Sequence, residues 1–113
     1  MVTLTNIGTS YDLTQPSHGL GLGLVDLTGV TSVTFHVRVQ KVGAGTQSWQ
    51  LWNQTDGTEV GVINDAGAAG IKDLEASFSV ALTGVKLLRV RAKSTTASDD
   101  PVFFGAAVLL VRP

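Results

Sequence analysis

Val25-Asp-Leu-Thr-Gly-Val-Thr-Ser-Val-Thr-Phe-His-Val-Arg-Val-Gln-Lys-Val42 is the stretch whose reading decides the fold. From Val33 onward, Val33, Phe35, Val37 and Val39 alternate with Thr34, His36, Arg38 and Gln40. A side-chain period of two belongs to a strand with one apolar face and one polar face. The opening of the stretch, Val25-Asp-Leu-Thr-Gly-Val30, returns as Val80-Ala-Leu-Thr-Gly-Val85 and again leads into a strand, this one with Arg89-Val-Arg91 at its centre. The echo fits two equivalent crossings out of one sheet into the next strand. It is too short to establish duplication, and two turns converging on the same residues explain it equally well.

Working outward, Val2-Thr-Leu-Thr5 reads as a short opening strand and Tyr11-Asp-Leu13 as a second candidate. Gly19-Leu-Gly-Leu-Gly-Leu24 alternates Gly with Leu20, Leu22 and Leu24, which lets the backbone lie close to another chain while the leucines point one way. It reads either as an edge strand or, with the rest of residues 1–24, as an N-terminal arm laid on a neighbouring subunit. Beyond the central strand, Gly43-Ala-Gly45 is a turn signal and 47–54 reads as the hairpin partner of 32–42, with Trp49 and Leu51 on one face and Trp52 on the other. Asp56-Gly57 marks a tight hairpin turn into 59–63. Residues 64–72 are Gly-rich and read as a loop. The segment 75–82 alternates through Ala76, Phe78, Val80 and Leu82. In 85–93, Leu88, Val90 and Ala92 oppose Leu87, Arg89, Arg91 and Lys93. The closing strand from Val102 to Val111 is apolar on both faces, which suits a strand covered on both sides or a subunit interface, with Phe103 and Leu109 as candidate interface residues.

No stretch carries a helical period over ten or more residues. Seven or eight short strands in 113 residues predict a single all-β domain, an antiparallel β-sandwich of jelly-roll or Greek-key type. With 43% apolar and 15% charged residues the chain has ample core and is not disordered. Eight basic against nine acidic residues give a net charge of −1, so nucleic acid and anionic membrane are not expected partners. There is no Cys and no apolar run long enough to span a bilayer as a helix. Met1-Val-Thr-Leu-Thr-Asn6 lacks the basic and apolar regions of a secretory signal, so a protein made in a cytoplasm is expected.

The sequence offers no catalytic set. His18 and His36 are the only histidines, and neither has a partner at metal-ligand spacing. His36 reads instead as a solvent-facing or interface residue. The carboxylates fall mostly in turn signals; Asp26 with Glu75 makes no selected acid pair, and neither Asp99-Asp100 nor Asp56 with Asp65 matches a calcium loop. Gly19-Leu-Gly-Leu-Gly23 lacks the third spacing and the following helix of a dinucleotide loop. No enzyme activity, cofactor or metal is therefore expected. Two binding features remain. Trp52, if outward, is a candidate sugar platform or interface residue. Arg38, Arg89 and Arg91 are candidate contacts for an acidic partner, or the solvated side of a sheet.

The strand at 25–42, the segment Ser48-Trp-Gln-Leu-Trp-Asn-Gln-Thr-Asp-Gly-Thr-Glu-Val60 and the close Asp100-Pro-Val-Phe-Phe-Gly-Ala-Ala-Val-Leu-Leu-Val111 together resemble small virion proteins of tailed bacteriophages. The likeness is to jelly-roll capsid decoration (auxiliary head) proteins and to small domains of phage tail and fibre proteins. It implies a non-enzymatic protein on the capsid surface, commonly a homotrimer, that cements a lattice of major capsid protein. The alternative it implies is a carbohydrate- or receptor-binding module of a tail or fibre. Leu20, Leu22, Leu24, Trp52, Phe103 and Leu109 are then the candidate interface residues.

Overall fold

The computed structural model describes residues 2–4, 8–11 and 20–113. The strands are β1 (Val2–Thr3), β2 (Leu20–Asp26), β3 (Ser32–Lys41), β4 (Gln47–Asn53), β5 (Thr58–Asp65), β6 (Gly70–Ser79), β7 (Val85–Ser94) and β8 (Val102–Val111). They form two antiparallel four-stranded sheets in a sandwich, ordered β1-β8-β3-β6 and β2-β7-β4-β5. Among the described residues there is no helix. The all-β sandwich expected from the alternation is the architecture found.

The alternation in β3 sets the inside. Val33, Phe35, Val37 and Val39 are completely buried, and Trp49, Leu51, Leu88, Val90 and Ala92 meet them from the other sheet. Each such side chain contributes about 1.5–3 kcal/mol on leaving water. Trp49 of β4 stacks against Phe103 of β8 across the sandwich, with centroids 6.0 Å apart. Phe103 is thus an inward residue. In β5 the sheets leave no room for a side chain at Gly61, where a Cβ would collide with the Phe78 ring.

Among the described strands only β4 and β5 are both consecutive in sequence and neighbours in a sheet. Their turn is the Asp-Gly turn expected, closed by Gly57 N donating to Asn53 O (2.9 Å) and by paired Asn53 and Asp56 side chains. Two sequence expectations need correction. First, 32–42 and 47–54 do not pair as a hairpin; β3 and β4 lie in opposite sheets. The Gly43–Gly45 segment is a crossover, held by the buried carboxylate of Asp99, which accepts from Gly45 N (3.1 Å), Ser94 Oγ (2.7 Å) and Gln47 Nε2 (3.4 Å). Second, the loop expected over 64–72 shrinks to 66–69, because β5 runs to Asp65 and β6 begins at Gly70. The buried Asp65 binds Lys72 Nζ (2.9 Å) and Gly67 N (3.1 Å) and so closes this connection tightly.

The repeated Leu-Thr-Gly-Val segments are both crossings between sheets, β2 to β3 and β6 to β7. Gly29 and Gly84 both take left-handed backbone angles, φ 77° and 86°, which a side chain would strain. The two crossings also touch. Leu27 N donates to Gly84 O (2.9 Å) and Gly84 N to Thr28 Oγ1 (3.0 Å). Arg112 then donates to the carbonyls of Thr28 and Asp26, tying the end of the chain to the same corner.

Of the N-terminal arm reading, Val2–Thr3 pairs with β8 and Leu20–Asp26 is an edge strand on β7, with an irregularity between Gly21 and Gly23. Leu4 is fully buried in the core and donates from N to Pro101 O (2.8 Å), and Gly8 N donates to Ala97 O (3.0 Å); residues 5–7 and 12–19 of that reading, with His18 and most of the candidate strand from Tyr11, lie outside the described residues. Leu24 is 73% exposed on its edge. The closing strand is not covered on both sides: its outward residues Ala107, Leu109 and Val111 face solvent, Leu109 at 66% exposure.

Burial opposes ionisation of Asp99, but the hydrogen bonds from Ser94, Gln47 and Gly45, with the nearby charge of Lys41, outweigh it and hold the carboxyl below its ordinary value. A depressed folded-state value stabilises the fold above about pH 4, and the contribution fades as pH falls through the depressed value. Urea titration of Asp99→Ala at pH 7 is therefore expected to show a loss of about 3 kcal/mol, because Gly45 N and Ser94 Oγ lose their acceptor and Gln47 Nε2 keeps only Val42 O. The gap to wild type narrows at pH 2–3; an equal gap at both pH values contradicts the ionic role.

Candidate functional site

The two outer faces of the sandwich differ in kind. On the β1-β8-β3-β6 face the side chains satisfy one another. His36 lies between Asp73 (3.8 Å) and Glu75 (3.7 Å), Arg38 binds Asp73 (3.3 Å), and the Thr34 and Ser77 hydroxyls share a hydrogen bond (2.8 Å). A depression of about 380 Å³ lies beside them, lined by Thr34, His36, Glu75, Ala107, Val108 and Leu109. Among the described residues no Trp, Tyr or Phe ring lines it.

The outer face of β2-β7-β4-β5 is built differently. The pairing of β7 with β4 sets Arg89 opposite Trp52, Arg91 opposite Gln50 and Lys93 opposite Ser48. Inward neighbours Leu88, Val90 and Ala92 are fully buried, so these six must point out. The Arg91 guanidinium stacks over the Trp52 indole at 3.7 Å from the ring centre, and its Nε donates to Gln50 Oε1 (2.6 Å). Gln50 Nε2 in turn donates to Glu59 Oε1 (2.9 Å) across to β5. Arg91, Gln50 and Glu59 thus form one polarised chain beside a half-exposed indole, whose own Nε1 donates to Gln54 Oε1 (3.1 Å).

Tyr11 covers the other end of this row. Arg91 lies 5.1 Å and Lys93 4.7 Å from its ring centre. Burial, reinforced by the charge of Glu59, pushes the phenol up to about 12, while a hydrogen bond with Ser48 and the charge of Arg91 pull the other way. Burial likewise lowers Arg91 from its usual range, against the charges of Tyr11 and Glu59. Next to this platform opens a cleft of about 280 Å³ lined by Thr9, Thr46, Ser48, Lys93, Ser94 and Thr95. Five of its lining residues carry hydroxyls and one an ammonium, although Ser48 Oγ already donates to Asn64 Oδ1 (2.6 Å) and Ser94 Oγ to Asp99 (2.7 Å); Ser48 and Lys93 belong to both cleft and platform. The floor is fixed by Asp99, since Ser94 binds it directly and Thr46 N is held by Thr95 Oγ1 (2.9 Å).

The residues proposed from sequence do not form one surface. Leu22 and Phe103 are partly buried and pack against the core, Leu24 and Trp52 lie on one sheet, and Leu109 on the other. Leu20 pairs with Val90 along the edge of β2. Of the three arginines, Arg89 and Arg91 share the platform face, whereas Arg38 sits on the opposite sheet with Asp73. The arginine stripe is therefore a pair, extended by Lys93. The carboxylates are occupied locally. Asp26 accepts from Thr28 N (3.0 Å) and Asp56 from Lys86 (2.8 Å) and Asn53 (2.8 Å), contacts that hold both below the ordinary carboxylate range. The reading of these acids as solvated turns is right for Asp26 and Asp56 and wrong for Asp65 and Asp99, which are buried structural anions. Among the described residues no group of three or more His, Asp or Glu is placed to hold a metal. Gln50, Glu59 and Tyr11 are the site residues that sequence reasoning passed over.

Comparison with known proteins is a matter of shape. No protein-family model matches the sequence, and no curated protein matches it. Among solved structures it is similar to the carbohydrate-binding module of Cellvibrio mixtus lichenase 5A in complex with cellotriose, with TM-score 0.57, 14% identity, 80% of this chain and 68% of that one covered. It is also similar to the C-terminal domain of EclA, a sugar-binding protein, with TM-score 0.56, 17% identity, 96% of this chain and 76% of that one covered. At such identities the likeness is of fold. Neither neighbour is a virion protein, so capsid decoration and trimeric assembly keep only the sequence resemblance behind them.

Tyr11 is the only tyrosine in the chain, so its phenol can be read alone. Ultraviolet titration of the folded protein is expected to show phenolate forming near pH 12 rather than 10. A midpoint at the ordinary value would mean that Tyr11 does not lie buried against Arg91 and Glu59.

Proposed function

We propose that this chain is a non-catalytic carbohydrate-binding β-sandwich module whose ligand lies on the outer face of the β2-β7-β4-β5 sheet. The observation that carries the reading is Trp52. It is half-exposed, locked by Arg91 on one side and Gln54 at its nitrogen, and it sits beside a polar chain and a hydroxyl-lined cleft. Sugars present both apolar C–H faces and dense hydroxyls. A rigid ring flanked by amide, carboxylate and guanidinium groups answers both needs at little entropic cost. Both solved neighbours named above are sugar-binding domains, which supports the same reading.

The carboxylates fit a binding role. Hydrolysis of a glycosidic bond uses two carboxyl groups facing each other across the sugar. Around Trp52 and Arg91 the described residues supply one, Glu59, already engaged by Gln50.

Titration calorimetry, guided by a glycan array of neutral and acidic oligosaccharides, tests the reading. Binding is expected on the array, and Trp52→Ala is expected to weaken it roughly tenfold, the worth of about 1.4 kcal/mol of ring contact. Urea stability of that variant should stay within about 1 kcal/mol of wild type, since the ring is only partly buried and lies outside the core cluster. A blank array, or unchanged affinity in a folded Trp52→Ala protein, removes carbohydrate binding at this face.

A further inference from the structure

The charges on the platform are unequal, and this says something about the ligand. β7 turns Arg89, Arg91 and Lys93 outward two residues apart, so their positions recur at about 7 Å along one strand. Facing Arg91 and Lys93, the described residues offer one carboxylate, Glu59, and Gln50 stands between it and Arg91. The opposite face of the sandwich shows the contrast, for there Arg38 and His36 both meet Asp73. Among the described residues the positive charge of Arg91 and Lys93 therefore stands out in a chain whose net charge is −1.

Arg91 is also oriented. Trp52 holds the plane of its guanidinium and Gln50 holds Nε, while its terminal amino groups donate to no described residue. Those two groups are the prongs that grip a carboxylate in a planar, two-bond contact. With the plane already fixed, little rotamer entropy is lost when an anion arrives. Lys93 sits over the Tyr11 ring with its ammonium at the mouth of the hydroxyl-lined cleft, so a second anionic group or a cluster of ring hydroxyls finds a donor there.

We infer that the ligand of this face is an acidic oligosaccharide, a uronate-containing glycan whose carboxylate is taken by Arg91 with Lys93 beside it. This rests on the carbohydrate-binding reading and narrows it to a ligand class. A sugar ring would lie along Trp52 and Tyr11, with its hydroxyls toward Lys93 and the cleft. Glu59 tightens the selection: it orients Gln50 and disfavours an anion that strays toward β5.

The test uses matched pairs of glycans differing only in charge. Oligogalacturonate, hyaluronan oligomers and alginate oligomers are each titrated beside their carboxyl-reduced forms, with neutral cello- and xylo-oligosaccharides as further ligands. At least one acidic member is expected to bind tenfold or more tightly than its reduced form, with affinity falling as salt rises from 50 to 300 mM. Arg91→Gln should abolish that preference. Since Arg91 also packs on Trp52, Lys93→Gln serves as an independent variant, expected to lower affinity for the acidic member about threefold to fivefold. Binding that is equal for, or better with, the reduced or neutral glycans overturns the acidic preference and leaves carbohydrate binding standing. No binding to any of them, charged or neutral, overturns both.

Discussion

Every feature of the molecule depends on keeping the apolar row of β3 out of water. Val33, Phe35, Val37 and Val39 fill one side of a single strand, and only a second apolar sheet can cover them all. Trp49 and Leu51 of β4 with Leu88, Val90 and Ala92 of β7 supply that cover. The strand period of two then dictates what stands outside. Once Leu88, Val90 and Ala92 are buried, Arg89, Arg91 and Lys93 have no other place than the outer face, and burial of Trp49 and Leu51 sends Gln50 and Trp52 there too. The binding platform is the reverse side of the core.

That coupling explains the rigidity of the platform. The register of β4 against β7 sets Arg91 opposite Gln50, and the register of β4 against β5 brings Glu59 next to the same strand. A slip of one residue in either ladder would turn the polar set inward and expose the core, a far greater cost than any surface contact returns. The irregularity between Leu51 and Trp52 in the β4–β5 ladder lets Glu59, rather than Val60, stand opposite Trp52. Trp52 and Arg91 then brace each other. Arginine on indole contributes about 0.5–1 kcal/mol at an exposed site, and its larger consequence is that neither side chain is free to rotate.

How much of this could be read beforehand follows from the range of the forces involved. Alternation is local, so the inward and outward sets of β3, β4 and β7 were legible, as was the Asp-Gly turn between β4 and β5. Pairing partners were not. Gly43-Ala-Gly45 looks like a hairpin turn, and what makes it a crossover is Asp99, a residue far along the chain whose carboxylate captures Gly45, Gln47 and Ser94. No pattern near Gly43 announces that. Asp65 and Lys72 shorten the 66–69 connection by a contact closer in sequence, but one that the Gly-rich composition between them hides. Trp52 and Arg91 were visible as single candidates, but their contact is diagonal across two strands and waits on the register. Gln50, Glu59 and Tyr11 carry no motif and become meaningful only once the sheet sets them beside Arg91.

Asp99 also connects stability to the site. It lies behind the cleft, holds Ser94 and Gly45, and through the Thr46–Thr95 contact shapes the opening that Lys93 overlooks. A buried anion is costly unless every neighbour donates to it, and here the donors are the ends of the two strands that frame the cleft. The same bonds that hold the β3–β4 crossover in place therefore fix the spacing between the hydroxyl pocket and the aromatic platform. In the proposed role, a glycan spanning both would meet a surface whose two halves cannot drift apart without breaking that buried network. On the proposed reading, this preorganisation, more than the number of contacts, would let so small a face select one class of ligand.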